Sequence, residues 1–157
     1  MKREAATNPR SVSRGARVAD AMLHSPKMLG PATTIGQARE FFGDEHVHAA
    51  LIVDRGRLLA VVEPLDLVGD LSASSPALTV GCLRGRVTTP DADLAAAWEE
   101  MASLGRRRLA VVDGCGNLLG LLCLKRSGLG FCSDTDVRAR AEDIQRSDNT
   151  YPAGRCR

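Results

Sequence analysis

The feature that most constrains the fold of this sequence is a segment of two apolar runs joined by a short turn, which occurs twice. The runs cover residues 50–54 and 58–62 in the first copy, and residues 109–113 and 118–122 in the second. Each run has the length of a strand, and a Gly-containing turn between two such runs is typical of a β-hairpin. Because the runs are apolar throughout, both faces of the predicted strands are expected to be covered.

The two hairpins belong to a longer internal repeat. An apolar stripe at helical spacing precedes each hairpin, and the two stripes match at the same offset that relates Asp54 to Asp113. An offset that is kept through helix and strand indicates an internal duplication. The matching stripe residues are Ile35, Ala38 and Phe42 in the first copy and Leu94, Ala97 and Met101 in the second.

Each copy is predicted to form a β-α-β-β-α repeat. The fold class is therefore α/β, with two repeats that pack through their sheets as an intramolecular pseudo-two-fold sandwich, because one repeat alone has a marginal core. Short apolar starts are predicted at residues 18–22, as a helical turn, and at residues 80–83. Thr34 and Asp93 are predicted to cap the longer helices, and Pro64 to begin a helix after the first hairpin.

Turn residues and composition divide the chain into five predicted parts. Ser and Pro residues between the two copies mark the linker, and polar residues dominate the N-terminal segment. The parts are a flexible N-terminal arm (1–16), the first repeat (17–72), a linker (73–77), the second repeat (78–130), and a C-terminal tail (131–157) that is helical over 134–145 and frayed at its end.

Composition limits the class of protein. The chain has 157 residues, 44% of them hydrophobic, and a formal net charge of +2, which describes a soluble globular protein without a charge-based reason to bind nucleic acid or a membrane. No apolar run is long enough to span a membrane, and the first residues lack the apolar region of a signal peptide. The five cysteines are odd in number and show no CxxC spacing. A cytoplasmic, reduced protein is therefore expected.

Four motifs follow one another in the first copy, the second copy keeps their order with altered residues, and together they resemble a known family. They are a Val-x-Asp-x-Met start, a Pro-x-x-Thr-Ile-x-x-Ala helix entry, an apolar-Asp-Gly hairpin, and the closing Asp66-Leu67. Over about residues 17–128 the chain resembles a tandem pair of CBS (cystathionine-β-synthase-type) domains, the Bateman module. The resemblance implies a flattened sandwich that usually dimerises, and binding of adenosine-containing ligands in clefts between the repeats rather than catalysis.

The resemblance also implies which residues would bind a ligand in the first copy. In the family the second hairpin strand ends with Gly, two apolar residues, Ser or Thr, two further residues, and an Asp that accepts the ribose hydroxyls. Here Asp66 stands at the ribose position, Glu63 replaces the hydroxyl residue near the phosphate, and Ala60 replaces the glycine.

The edge just ahead of the first hairpin strand faces the ligand cleft in the family. His48 and Ala49 occupy this edge in the first copy, and Arg107 occupies the place of His48 in the second. These three residues complete the predicted ligand-binding set, with Arg107 offering positive charge to a phosphate.

The second copy departs further from the family pattern. Gly120 is kept, but Cys123 replaces the hydroxyl residue and Arg126 replaces the ribose-binding Asp. The sequence therefore predicts a single ligand site, on the side of Asp66.

Glu63 bears on which ligand that site would accept. A carboxylate about 4 Å from a phosphate costs roughly 4 kcal/mol at an effective dielectric constant of about 20. Unless Glu63 is turned away or paired, we expect AMP, ADP and ATP to be disfavoured relative to adenosine or a ligand with a positive centre, such as S-adenosylmethionine.

Other polar and aromatic residues leave alternatives open. The run 106–108 is three arginines after Gly105, which fits a helix C-cap with cations at the helix end, a phosphate-binding edge, or nucleic-acid binding. His46 and His48 lack a third metal ligand nearby, so no metal is expected. Trp98, beside small residues on its helix, indicates either a subunit interface or ordinary burial within the chain.

Two functions of different classes follow. The first is a non-catalytic, dimeric regulatory module that binds an adenosine-type ligand and signals to an unknown protein partner. The second is a degenerate scaffold that acts only by protein–protein association. The sequence has no nucleophile motif and no phosphate-binding loop with a Lys-Ser/Thr ending, so no catalytic residue and no further cofactor is predicted.

Overall fold

The structure is a computed structural model, and it describes residues 15–125 and 130–132. Within these residues, each repeat forms a three-stranded sheet in which a short parallel strand pairs with the first strand of an antiparallel hairpin. The first sheet contains β1 (Met28–Leu29), β2 (Ala50–Asp54) and β3 (Arg57–Val62), and α1 (Ile35–Phe41) connects β1 to β2. The second sheet contains β4 (Val87–Thr88), β5 (Arg108–Val112) and β6 (Leu118–Cys123), and α2 (Leu94–Leu104) connects β4 to β5.

The predicted helix caps are confirmed. The Thr34 hydroxyl accepts a hydrogen bond from the Gln37 amide, and the Asp93 carboxylate accepts one from the Ala96 amide. Gly105 ends α2 with a φ of 66°, a left-handed conformation that glycine adopts without steric cost. Both helices therefore begin where the sequence indicated, and all stripe residues lie within them except Phe42, which is the C-cap of α1.

Two of the shorter predicted elements differ from the structure. The helix that begins at Pro64 is a single 3-10 turn, Pro64–Leu67, because Val68 is extended and Gly69 has a φ of 109°. The start of the second repeat is a 3-10 turn at Ala77–Thr79 rather than at residues 80–83, and it matches the turn at Val18–Asp20 at the offset of the repeat. The helix predicted over residues 134–145 lies outside the described residues.

The two repeats exchange their first turns. Val18 packs in the core of the second repeat with residues of α2, whereas Ala77 packs in the core of the first repeat with Ile35 and Ala38. The exchange is reciprocal in the backbone as well, because the Leu94 amide donates to the Ala16 carbonyl at 2.9 Å and the Ile35 amide donates to the Ser75 carbonyl at 2.8 Å. Each core is therefore completed by a segment from the other repeat.

The sheets pack on one another with pseudo-two-fold symmetry. Leu51, Leu58, Val61 and Ala110 form a buried cluster that joins the two sheets. The two hairpin turns also bond to each other reciprocally: the amide of Leu58 donates to the carbonyl of Gly116 and the amide of Leu118 to that of Gly56, at 3.0 and 2.8 Å. This arrangement confirms the predicted α/β class and the two-repeat sandwich, while the residue limits given for the five parts stay a prediction.

Trp98 is buried within the chain, so the interface alternative for this residue is wrong. Its side chain is 2% exposed and belongs to the core of the second repeat. The ring also meets Phe131 edge-to-face, with ring centroids 5.3 Å apart. Among the described residues, no helix has the length and apolar character that a membrane span needs.

Candidate ligand cleft between the repeats

The chain leaves β3 in a conformation that presents two carboxylates to the second repeat. Glu63 is extended and precedes the 3-10 turn, in which Pro64 occupies the first position. The Asp66 carboxylate turns back and accepts a hydrogen bond from the Glu63 amide at 2.8 Å. Asp66 is therefore fixed at the end of the hairpin, where the family resemblance implies the ribose site.

The Asp66 carboxylate is already paired with an arginine of the second repeat. Arg86 precedes β4, and its Nη1 and Nη2 atoms donate to Oδ2 and Oδ1 of Asp66 at 2.5 and 3.0 Å. Nη1 also donates to the Val61 carbonyl at 2.7 Å. The two paired side chains are only 11% (Arg86) and 15% (Asp66) exposed. A bidentate guanidinium thus occupies the carboxylate that was predicted to hold ribose.

Glu63 is paired as well, which corrects the expected repulsion of phosphate. Its Oε2 atom accepts a hydrogen bond from Nη1 of Arg106, and its Oε1 atom lies 3.4 Å from Nη2 of Arg86. Two carboxylates and two guanidinium groups therefore balance in charge; we call Glu63, Asp66, Arg86 and Arg106 the ion cluster. Because Glu63 is neutralised, the condition under which it would disfavour a nucleotide is not met.

The ion cluster changes the proton affinity of its members. Burial by itself raises the pKa of Asp66, but the hydrogen bonds from Arg86 and from the Glu63 amide outweigh burial and hold this pKa below its ordinary value. The hydrogen bond to Asp66 raises the pKa of Arg86. The pair is therefore charged at neutral pH and loses its attraction only in acid.

His48 and Arg107 occupy equivalent positions of the two repeats, and they contact each other. Nη1 of Arg107 donates to Nε2 of His48 at 3.0 Å, and the guanidinium also donates to the Leu124 carbonyl. Because symmetry-related residues meet only near the symmetry axis, this pair lies near the pseudo-two-fold axis. Their part in ligand binding, and that of the partly buried Ala49, stays a prediction.

The three arginines after Gly105 point into the junction between the repeats. Arg106 bonds Glu63, Arg107 bonds His48, and Arg108 donates to the carbonyls of His46 and Arg107. The Gly105 C-cap of the helix-end alternative is confirmed, whereas the guanidinium groups of the three arginines contact residues of the first repeat.

Ala60 is buried rather than open to the cleft, and its replacement of the family glycine has a packing explanation. The residue is 3% exposed, and Gly81 of the other repeat lies against it: a Cβ added to Gly81 would lie 3.2 Å from the Ala60 Cβ and 2.8 Å from Cγ2 of Val62. In the second copy the sizes are reversed, because Gly120 faces Met22. The contact of Ala60 with a ligand stays a prediction.

The second hairpin has a buried cysteine at the position that Glu63 occupies after the first. Cys123 is 2% exposed and packs with Leu23 and Cys132. Arg126 lies outside the described residues. Among the described residues, no group of three His, Cys, Asp or Glu side chains is placed to hold a metal ion.

Sequence reasoning missed Arg86, and it singled out Arg106 without predicting its contact with Glu63. Arg86 is 20 residues from Asp66 in sequence, and its role depends on the packing of one repeat against the other. The repeat itself contained a usable signal, because Arg86 corresponds to Lys27, the other basic residue that directly precedes a short parallel strand. A cation at this position in both copies would have suggested a contact across the repeats.

Comparison with known families supports the resemblance. The model of the CBS domain family matches the chain over residues 18–73 and 86–126, which together are more than half of its length. No curated protein is similar enough in sequence to this chain to count as a match.

Solved structures of CBS proteins share the fold. The structure of CBSX2 in complex with AMP has a TM-score of 0.61 and 22% identity, and the match covers 83% of this chain and 99% of that one. An AMP complex of a CBS domain protein of Pyrobaculum aerophilum has a TM-score of 0.58, 22% identity and coverages of 73% and 95%. A CBS domain protein of unknown function from Thermoplasma acidophilum has a TM-score of 0.58, 18% identity and coverages of 81% and 76%.

Proposed function

Because the chain belongs to the CBS domain family, as a tandem CBS pair, we propose that it is a non-catalytic regulatory module that binds an adenosine-containing ligand once, in the cleft centred on Asp66. The observation that carries this proposal is the position of the Asp66 carboxylate. It follows the first hairpin at the family's ribose position, and its contacts with Arg86 lie across the junction of the repeats.

The chemistry of the first cleft suits a ribose with a neighbouring anion. An ionised carboxylate can accept both hydroxyls of a ribose, and hydrogen bonds to a charged group contribute about 1.5–3 kcal/mol each. The guanidinium groups of Arg86 and Arg106 lie within the same ion cluster and can donate to phosphate oxygens. AMP is the ligand in two CBS proteins of similar fold, which supports the nucleotide as the first candidate to test.

A second function, a scaffold without a ligand, has one observation in its favour. Both oxygens of Asp66 are engaged by Arg86, so the cleft is occupied by a side chain of the protein itself. If this pair never opens, the two repeats form a rigid body that can act only through its outer surface.

A thermal-shift measurement with adenosine, AMP and S-adenosylmethionine distinguishes the two functions. Each compound is tested on the unmodified protein, on Asp66→Ala, and on Asp70→Ala as a control in which a nearby exposed Asp is removed. The regulatory module predicts that at least one compound raises the melting temperature of the protein and of Asp70→Ala, but not of Asp66→Ala. No shift with any compound would support the scaffold.

Oligomeric state and location complete the proposal. We infer a cytoplasmic homodimer that passes the ligand signal to a partner protein through a change in the relative packing of the repeats. Leu104, at the end of α2, is 57% exposed and is one apolar residue available to such an interface. Sedimentation at micromolar concentration tests the dimer, and a single monomeric species would contradict it.

A further inference from the structure

We propose that Arg86 is the specificity-determining residue of the first cleft. Its guanidinium competes with a ribose for Asp66, and only a ligand whose phosphate binds this guanidinium displaces it. The inference rests on the proposed function and goes beyond it, because it names the chemical class of the ligand. Nucleoside phosphates are predicted to bind and neutral nucleosides to be rejected.

Arg86 and a ribose cannot bind the Asp66 carboxylate at the same time. Oδ1 accepts from Nη2 of Arg86, and Oδ2 accepts from both Nη1 of Arg86 and the Glu63 amide. A ribose that binds with both hydroxyls needs the face of the carboxylate that Arg86 covers. Ligand binding therefore requires that the guanidinium moves away.

Once displaced from Asp66, the guanidinium of Arg86 needs another anion as its partner. Its side chain is 11% exposed, and its Nε atom is buried without a hydrogen-bond partner among the described residues. Leaving a buried cation unpaired is strongly unfavourable. Glu63 cannot take over the pair completely, because its carboxylate is also bound by Arg106.

A phosphate group of the ligand is the anion that fits Arg86 best. A phosphate presents several oxygens that match the two parallel N–H groups of a guanidinium. A nucleotide would therefore satisfy Asp66 with its ribose and Arg86 with its phosphate at once, whereas adenosine would free Arg86 and offer it nothing. Arg106 supports this selection, since it neutralises Glu63 near the incoming phosphate.

Calorimetric titration of AMP and adenosine tests this selection in the full-length protein. The variants are Arg86→Gln, which removes the charge, Arg86→Lys, which keeps the charge without the planar fork, and Arg84→Gln as an exposed control two residues away. Thermal unfolding of each variant verifies that it is folded. The unmodified protein and Arg84→Gln are expected to prefer AMP over adenosine at least tenfold, and Arg86→Lys to retain part of that preference.

Arg86→Gln is the decisive variant. We expect it to bind adenosine more tightly than the unmodified protein does, so that the preference for AMP falls to about threefold or less. Adenosine binding that is detectable only in Arg86→Gln would equally support the competitor role. Binding of both compounds with an unchanged ratio would overturn the role of Arg86 and leave the proposed function standing. No binding of AMP or adenosine to any variant would overturn the selection of nucleotides, and the thermal shift with S-adenosylmethionine would then decide whether the proposed function stands.

Discussion

The ends of the two hairpins differ in charge, although the hairpins themselves are built alike. After β3, Glu63 and Asp66 form charged contacts with the second repeat, whereas Cys123, the last residue of β6, is buried and packs with Leu23 and Cys132. The strands before these ends pair in the same way in both sheets. The duplicated strands therefore maintain the fold, and the proposed single site rests on the residues that follow them.

Removal of the Asp66 carboxylate should have the largest effect on this comparison. In Asp66→Ala the guanidinium of Arg86 loses both hydrogen bonds to Asp66 and keeps only the more distant Glu63 and the Val61 carbonyl. Losing one member of a buried pair costs about 3 kcal/mol or more. Denaturant unfolding measures the loss, and Asp70→Ala, at an exposed position, should change the unfolding free energy by no more than about 0.5 kcal/mol. Equal effects of the two substitutions would show that the ion cluster does not stabilise the fold.

Adding a methyl group at Gly120 tests the packing difference between the two hairpins. The new Cβ would lie 2.4 Å from the Leu23 carbonyl oxygen, a backbone atom that cannot move aside easily. Overpacking of this kind costs about 1–3 kcal/mol. The reverse change in the first hairpin, Ala60→Gly, should cost only about 1 kcal/mol, since it removes one methyl group and adds backbone freedom. A Gly120→Ala protein as stable as the original would contradict the close approach.

Truncation of Cys123 should affect stability slightly and ligand binding not at all. Cys123→Ala removes one buried sulfur atom, and the expected loss is about 1 kcal/mol of unfolding free energy. Calorimetry with AMP should give the same affinity as the unmodified protein, because the site is placed at the other hairpin end. A weakened affinity would place part of the site in the second copy.

Acid should remove the stabilisation that the first hairpin end receives from Asp66. The pKa of Asp66 is lowered from 3.8 in the folded protein, so its contribution is present above about pH 4 and is lost as the pH falls through the folded-state pKa. The difference in unfolding free energy between the protein and Asp66→Asn should therefore shrink below about pH 4. If this difference in unfolding free energy were the same at about pH 3 as at about pH 7, the charged pair would be contradicted.

The sequence predicted the features that depend on local patterns. These features are the apolar runs, the Gly-containing turns and the helix caps Thr34 and Asp93. Each of them depends on residues that are close in sequence. The 3-10 turn after β3 was predicted too long, because Val68 and Gly69 adopt non-helical conformations in spite of the apolar spacing.

The contacts between the repeats could not be predicted in the same way. The pairing of Asp66 with Arg86, the match of Ala60 with Gly81, and the burial of Trp98 all depend on how distant segments pack. For Asp66 the family resemblance implied an open carboxylate at a ribose position, and this role stays a prediction. In the structure the guanidinium of Arg86 binds this carboxylate, so Asp66 is part of an ion pair within the chain.

The central claim is that the molecule binds one nucleotide per chain, at the end of the first hairpin. Calorimetric titration with AMP measures this directly, because the stoichiometry and the affinity come from the same experiment. The account predicts one site per chain, with binding lost in Asp66→Ala and unchanged in Cys123→Ala. Two equivalent sites per chain, or full binding by Asp66→Ala, would contradict it.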